Sequence, residues 1–88
     1  PVPNPTPEDV RLFPVDGGPE DIAPAGGGSM WFTRTTGDNI ALISPTGEIT
    51  ATSKVVKGSE PFGITVDTNG NPWFTMLSAD KIATLQLR

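Results

Sequence analysis

The side chains that could do chemistry in this 88-residue chain are carboxylates, hydroxyls and a few basic groups. The sequence contains ten Asp and Glu residues and six Lys and Arg residues, but neither histidine nor cysteine. A Ser-His-Asp triad, a Cys-His pair and a thiolate metal site are therefore excluded within the chain. A carboxylate pair of the kind that glycosidases use remains conceivable, but the sequence does not show which carboxylates meet. No catalytic residue and no metal ligand is predicted.

Two short motifs resemble ligand-binding loops. Residues 67–71 (Asp-Thr-Asn-Gly-Asn) match the start of a calcium loop, but Ser78 stands where that loop needs its final glutamate. Residues 26–28 (Gly-Gly-Gly) resemble a phosphate-binding loop, but no lysine and no helix follow them. Because Gly and Asn tolerate the positive φ of tight turns, we interpret both motifs as turns between strands.

One stretch of the sequence occurs twice, at an offset of 42 positions. Residues 30–34 (Met-Trp-Phe-Thr-Arg) return as residues 72–76 (Pro-Trp-Phe-Thr-Met), and flanking Pro, Ile, Gly and Asp residues match at the same offset. Periods of roughly 40–45 residues built from short strands are typical of β-propeller blades. Neighbouring strand residues point to opposite faces, so each Trp-Phe pair needs cover on both faces of its sheet. The apolar positions predicted as the repeat core are Ile22, Trp31, Phe32, Ile40, Ile64, Trp73, Phe74 and Ile82.

These features predict an all-β fold made of two four-stranded blades of a β-propeller. Strands are expected at residues 10–15, 21–24, 29–35, 39–44, 48–56, 62–67, 72–77 and 81–87, with polar turns between them and no helix. Residues 1–9 have proline at positions 1, 3, 5 and 7 and are predicted to be a Pro-rich arm or linker. Residues 10–52 are assigned to an outer strand plus the first blade. Residues 53–88 are assigned to a second blade that lacks its own outer strand.

Two blades cannot close a ring, because propellers have about four to eight. The outer strand expected at residues 10–15 and the one missing after the last strand favour a head-to-tail contact between copies, which closes when the rotation allows. Three copies would give six blades and four copies eight. The alternative is that the remaining blades of a longer parent chain complete the ring. The expected partners are therefore copies of this chain or those remaining blades.

Charge and hydropathy bear on the other partners. The net charge is −4 and the basic residues are scattered, which argues against a nucleic-acid partner. No apolar run approaches the roughly 20 residues needed to span a bilayer, so membrane insertion is not expected. The chain begins with Pro1, which is typical of a processed, excised or engineered piece. A secreted, extracellular or periplasmic location is favoured.

Four positions differ between the otherwise matching units. Glu20 and Phe62 follow the repeat proline, and Arg34 and Met76 follow Trp-Phe-Thr. Variable positions within repeat proteins usually lie on the loop face where ligands are bound. We therefore predict that these four residues lie at the mouth of a central channel and contact a small-molecule ligand. Divergence of ordinary surface residues is the alternative explanation.

The repeat also resembles that of a known family over residues 11–88. The motifs are Pro-x-x-Ile, a Gly turn, Trp-Phe-Thr and the run at residues 38–50 (Asp-Asn-Ile-Ala-Leu-Ile-Ser-Pro-Thr-Gly-Glu-Ile-Thr). They resemble the virginiamycin B lyase family, with NHL-type and SMP-30-like propellers as looser relatives. The resemblance implies seven-bladed enzymes that linearise streptogramin B antibiotics by Mg²⁺-assisted elimination. It also implies that His and Glu side chains at the channel mouth carry the reaction.

This chain departs from the family pattern where that chemistry would lie. Arg34 and Met76 stand where the family repeat commonly has Glu, and Glu20 and Phe62 stand where His can occur. The first hypothesis is therefore a non-enzymatic module that self-assembles into a closed propeller and serves as a scaffold or binding platform, without a cofactor. A fragment of a lyase-like enzyme, with Mg²⁺ if activity survives in the parent protein, is the alternative. An extracellular ligand-binding domain tethered through the Pro-rich arm is the third hypothesis.

Overall fold

The computed structural model describes residue 4 and residues 6–86 of the chain. In that part of the chain, seven strands form two antiparallel sheets. The first sheet has the order β1-β2-β3-β4 and the second sheet the order β5-β6-β7. The all-β prediction is confirmed. The strands are β1 (Pro19–Gly26), β2 (Ser29–Arg34), β3 (Asn39–Ile43), β4 (Ile49–Lys54), β5 (Pro61–Val66), β6 (Pro72–Met76) and β7 (Lys81–Thr84).

The two sheets repeat the same strand register. In the first sheet Ile22 lies opposite Phe32, and in the second sheet Ile64 lies opposite Phe74. Both ladders are irregular just after the proline that opens the sheet. Proline has no N–H to donate, so a bulge at this point avoids a missing ladder hydrogen bond. The repeated sequence therefore folds into two copies of one structural unit.

The main hydrophobic core lies between the two sheets, at a contact called here the inner interface. Trp31 and Ile40 of the first sheet pack against Phe74 and Met76 of the second, and all four are buried. Because neighbouring strand residues alternate in direction, Phe32 and Trp73 point away from this interface. Each sheet therefore has a second, outer face that its partner sheet does not cover.

The outer strand expected at residues 10–15 is absent, and this prediction is wrong. Residues 10–16 belong to no strand or helix. The Arg11 guanidinium donates to the Pro45 carbonyl at 3.0 Å, and Phe13 packs so close to Gly47 that a Cβ there would lie 2.3 Å from its ring. Pro14 cannot donate a ladder bond. Side-chain contacts with the first sheet therefore hold this segment in place of a strand ladder.

Two further expectations differ from the structure. Short 3-10 helices span Pro7–Asp9 and Leu77–Ala79, although no helix was expected. The second of them replaces a predicted turn and ends at Asp80, whose φ of 54° is left-handed. Strand β4 (Ile49–Lys54) lies inside the strand expected at residues 48–56, so the first sheet extends past the boundary placed at residue 52. The second sheet has three strands in the described residues, the same number as expected between residues 62 and 87. The predicted strand end at residue 87 lies outside the described residues, and the division into arm and blades otherwise stays a prediction.

The predicted core residues divide according to the face on which they lie. Trp31, Phe32, Ile40 and Phe74 are buried, and Ile64 is half-buried against the inner interface. Ile22, Trp73 and Ile82 are instead 55%, 41% and 73% exposed. These three were expected in the core, but in a single chain they lie on the outer faces, where no further sheet covers them.

Candidate assembly interface

Threonine hydroxyls fix the register of the two sheets at the inner interface. Thr33 is fully buried, and its Oγ1 donates to the Phe62 carbonyl at 2.7 Å while accepting from the Asp21 amide at 3.1 Å. The Thr35 hydroxyl donates to the Pro61 carbonyl at 2.7 Å. A buried hydroxyl that lost these partners would be left unsatisfied, so the bonds specify one alignment of β2 with β5.

The Asp21 carboxylate also connects the sheets. Its Oδ2 accepts from the Ile64 amide at 2.9 Å, and its Oδ1 accepts from the adjacent Ile22 amide at 2.9 Å. The repeat counterpart of Asp21 is Gly63, whose position lies next to the same carboxylate: a Cβ there would be 3.8 Å from Oδ2. One aspartate therefore satisfies the equivalent N–H groups of both units.

Asp38 holds the loop that joins the two sheets. Its backbone is left-handed, with φ of 53°, and its carboxylate accepts from the Gly58 amide at 2.7 Å and the Glu60 amide at 3.0 Å. These backbone hydrogen bonds, from Gly58 first and then Glu60, lower the pKa of Asp38 because they stabilise the charged carboxylate. The Asp38 carboxylate thus makes its hydrogen bonds with backbone 20 or more residues further along the chain.

The outer face of the second sheet carries the repeat counterparts of the inner-interface residues. Trp73, Thr75 and Ile82 lie on it, matching Trp31, Thr33 and Ile40. The Trp73 indole Nε1 donates to Asp67 Oδ2 at 2.8 Å, which fixes the direction of the ring. This bond is the main reason that the pKa of Asp67 lies below its usual range.

The turn at residues 67–71 is confirmed as a turn. Asp67 Oδ1 accepts hydrogen bonds from the backbone N–H groups of Asn69 at 2.9 Å and Asn71 at 3.0 Å. This carboxylate oxygen is therefore occupied within its own turn. Residues 26–28 likewise form the end of β1 and the hairpin turn to β2. Both motifs therefore lie at turns between strands, as predicted.

The outer face of the first sheet carries an apolar groove of about 530 Å³. The Arg34 guanidinium lies 5.4 Å from the centre of the Phe32 ring and forms an ion pair with Asp16 at 3.2 Å. The ion pair is largely open to solvent at Asp16, so its direct contribution is small. Its main effect is to hold Arg34 over Phe32. The groove is lined mainly by Phe13, Ile22, Met30, Phe32, Ile43 and Pro45.

The four predicted ligand positions lie at corresponding ends of the two sheets. Glu20 is exposed at the margin of the groove, and Arg34 is engaged with Asp16. Phe62 is 42% exposed, whereas Met76 is 6% exposed and packs into the inner core. Met76 therefore supports the contact between sheets in this chain. Ligand binding at Glu20, Arg34 and Phe62 stays a prediction.

In the described residues no group of three Asp or Glu side chains comes together, and the Asp67 carboxylate is occupied by hydrogen bonds from its own turn and from Trp73. A magnesium requirement stays a prediction for the parent protein. No helix in the described part of the chain is long and apolar enough to cross a membrane.

Sequence reasoning missed the polar half of the interface. Asp21, Thr33 and Thr35 join the sheets, but each also reads as an ordinary polar strand or turn residue. The one available signal was the match between Thr33 and Thr75 beside the conserved spacing of Trp and Phe within the chain. Phe13, which lines the groove, was assigned to a strand that does not form.

Two antiparallel sheets of one repeated unit, stacked face to face, define adjacent blades of a β-propeller. The model of the virginiamycin B lyase family matches residues 3–88, and the chain belongs to that family. It is 32% identical over 68 residues to virginiamycin B lyase of Nocardia farcinica (strain IFM 10152), an alignment covering 77% of this chain and 24% of the relative.

Solved structures give the same result. A streptogramin B lyase structure superposes with a TM-score of 0.73 at 29% identity, covering 85% of this chain and 25% of that one. A catalytically inactive histidine-to-alanine variant of virginiamycin B lyase from Staphylococcus aureus, solved with quinupristin, gives 0.65 at 26% identity, covering 98% and 29%. The chain thus spans about a quarter of the length of these relatives.

Proposed function

We propose that this chain is a non-enzymatic propeller module whose copies assemble through their outer sheet faces into a closed ring. The ring serves as a scaffold or binding platform. Three copies give six blades and four give eight, within the range of about four to eight found in propellers. The module needs no cofactor in this role.

One comparison within the chain carries the proposal. Trp31 and Ile40 are 4% and 0% exposed at the inner interface, whereas their counterparts Trp73 and Ile82 are 41% and 73% exposed. The same residue types thus stand on a covered face and on an uncovered one. Exposed apolar patches of this kind usually mark a surface that binds another protein. Within the chain, the second sheet covers Trp31 and Ile40 of the first. A further blade of the same repeat would cover Trp73 and Ile82 in the same way.

The absence of histidine supports a non-enzymatic role. The Staphylococcus aureus relative solved with quinupristin is described as catalytically inactive once a histidine is replaced by alanine. This chain has no histidine at any position, and its described residues do not gather three carboxylates for a metal. A ring made only of copies of this chain would contain no histidine either.

Native mass spectrometry across a range of concentrations tests the assembly. We expect a species of three or four times the chain mass of 9.2 kDa, with sedimentation of a compact particle. A folded chain that stays monomeric at all concentrations would contradict the proposal. In that case, further blades of a longer protein would be the cover for the outer faces.

A second assay separates the scaffold from the lyase-like alternative. The assembled protein is incubated with a streptogramin B antibiotic and Mg²⁺, and lactone opening is followed by mass spectrometry. We expect no turnover. Magnesium-dependent opening of the ring would instead favour the enzyme. Binding without turnover, weakened by the Arg34→Ala substitution, would support the predicted platform at Glu20, Arg34 and Phe62.

A further inference from the structure

We infer that the contact between copies is a head-to-tail docking in which Trp73 of one copy enters the groove on the first sheet of the next. The Asp80 carboxylate accepts hydrogen bonds from the backbone N–H groups of that neighbour's Asp16 and Gly18. This inference rests on the proposed function and deepens it, since it names both surfaces and their polarity. The occupant of the groove is thus a second copy of this chain.

The groove is the repeat counterpart of the surface that receives Trp31 inside one chain. At the inner interface, Trp31 packs in a cluster that includes Phe74. Subtracting the 42-residue offset converts Phe74 into Phe32, which lies at the base of the groove. The same shift converts the cluster residues Val55, Ile64 and Leu85 into the groove residues Phe13, Ile22 and Ile43.

The side chain that fills this groove follows from the same correspondence. Trp73 is the counterpart of Trp31, and Ile82 is the counterpart of Ile40. Asp67 already holds the Trp73 indole through Nε1 at 2.8 Å, so little side-chain freedom is lost on docking. A volume of about 530 Å³ lies within the range that accommodates whole small-molecule ligands, so an indole fits.

Two hydrogen-bonding groups are placed to repeat the inner interface. Asp80 has the same left-handed backbone as Asp38, with φ of 54° against 53°. Within residues 6–86 its carboxylate accepts no hydrogen bond, whereas that of Asp38 accepts the Gly58 and Glu60 amides. Shifted by one repeat, those donors are the amides of Asp16 and Gly18. Neither amide donates a hydrogen bond within the described residues.

Thr75 is the second of these hydrogen-bonding groups, and it is the repeat counterpart of Thr33. Its Oγ1 accepts from the Gly63 amide at 2.9 Å, just as Thr33 accepts from Asp21. The Thr33 hydroxyl also donates its own proton to the Phe62 carbonyl. In the docked pair, the Thr75 proton is donated to the neighbour's Glu20 carbonyl, which is the counterpart of Phe62.

The docked contact is weaker than the inner interface. Leu77 replaces Thr35, so one hydroxyl-to-carbonyl bond is lost. Thr84 and Asp67 replace Leu42 and Ala25, which makes the outer face of the second sheet more polar. We therefore expect reversible assembly that dissociates on dilution.

The first test uses charge placed on either face. Trp73→Lys and Ile22→Lys each put a cation into the contact at an exposed position, so the chain itself stays folded. Each variant should associate at least about tenfold more weakly than the wild type, because truncating or charging a central aromatic anchor has effects of this size. Leu12→Lys is the matched control: Leu12 is 83% exposed, and its repeat counterpart is Lys54. This control should assemble like the wild type.

Mixing the two variants tests the polarity of the contact. Ile22→Lys keeps an intact second sheet and Trp73→Lys keeps an intact first sheet, so a head-to-tail mode has one productive contact in the mixture. Native mass spectrometry should show a heterodimer and nothing larger, while each variant alone is monomeric. Association of Ile22→Lys with itself would instead indicate contact between two second sheets and overturn the inference.

Asp80→Asn tests the hydrogen-bonding part and should weaken association about tenfold or less, since it removes charge-assisted bonds to two amides. Wild-type protein that assembles while Trp73→Lys and Asp80→Asn assemble equally well would overturn the docking mode but leave the proposed ring intact. Wild-type protein that never assembles would overturn both, so the two failures are distinguishable.

Discussion

The same residues have different surroundings in the two units of this chain. Trp31 and Ile40 are enclosed between two sheets, while Trp73 and Ile82 lie on a sheet face that no other sheet in the described residues covers. Since the residue types and the register are shared, the difference in burial comes only from what packs on each sheet. The residue types thus determine which face of a blade is apolar, and the presence of a neighbouring blade determines whether that face is buried.

The largest expected effect is the difference in stability between the alanine variants of the two tryptophans. Trp31→Ala should lower the free energy of unfolding by about 3–5 kcal/mol, because a large side chain leaves the closed core. Trp73→Ala should cost about 1 kcal/mol or less, since its ring is only partly covered in a single chain. Urea unfolding followed by far-UV circular dichroism, at a dilution where the chain is monomeric, measures both. Equal losses would show that the two units are equally enclosed.

The isoleucine pair sharpens the same comparison with a smaller side chain. Ile40→Ala should cost about 2–5 kcal/mol because Ile40 has no exposed surface. Ile82→Ala should change the monomer by about 0.5 kcal/mol or less, as usual for a surface position. At concentrations where copies associate, however, Ile82→Ala should lower the population of assembled species in native mass spectra. Unchanged assembly would count against Ile82 as a contact residue.

The threonine pair tests the polar part of the interface. Thr33→Val leaves the Asp21 amide and the Phe62 carbonyl without their shared partner, and should cost about 1–3 kcal/mol. Thr75→Val removes only the acceptor of the Gly63 amide, which water can replace, and should have little effect on the monomer. Hydrogen exchange read at the Asp21 and Gly63 amides distinguishes the two. A similar rise in exchange at both sites would refute the difference.

The smallest effect concerns pH. The pKa of Asp38 is lowered in the folded chain, so its contribution to stability is complete above the ordinary aspartate pKa and is lost as pH falls through the folded value. Asp38→Asn should therefore destabilise the chain at pH 7, and the difference from the wild type should shrink below about pH 4. Asp80→Asn is the matched control and should leave monomer stability unchanged. A pH-independent difference for Asp38→Asn would contradict this account.

Repeat spacing was enough to predict the sheets, because a matched Trp-Phe pair constrains both faces of a strand wherever it recurs. It could not assign the outer strand correctly. Residues 10–15 have a β-like composition, but a strand needs a ladder partner, and strand preference depends on context. In its place, contacts of Arg11 and Phe13 with the turn at residues 45–47 hold the segment.

The site was predicted less well than the fold. The side chains of Ile22, Trp73 and Ile82 are typical of a core, yet all three are exposed. Their burial depends on whether another sheet packs on that face, which the spacing of the repeat does not show. Met76 was expected at a channel mouth because it varies between the units, but an apolar residue at a variable position can equally fill a core. Hydrogen bonds between side chains and distant backbone, such as those of Asp38, have no local signature.

Asp21 gives the repeat a larger period than its 42 residues. Its two carboxylate oxygens accept the Ile22 and Ile64 amides, whereas Gly63 has no carboxylate to offer the blade beyond it. Odd and even blades are therefore chemically distinct, and each copy adds one blade of each kind with both amides already paired within the chain. Any circle formed by such alternating blades must contain an even number of them.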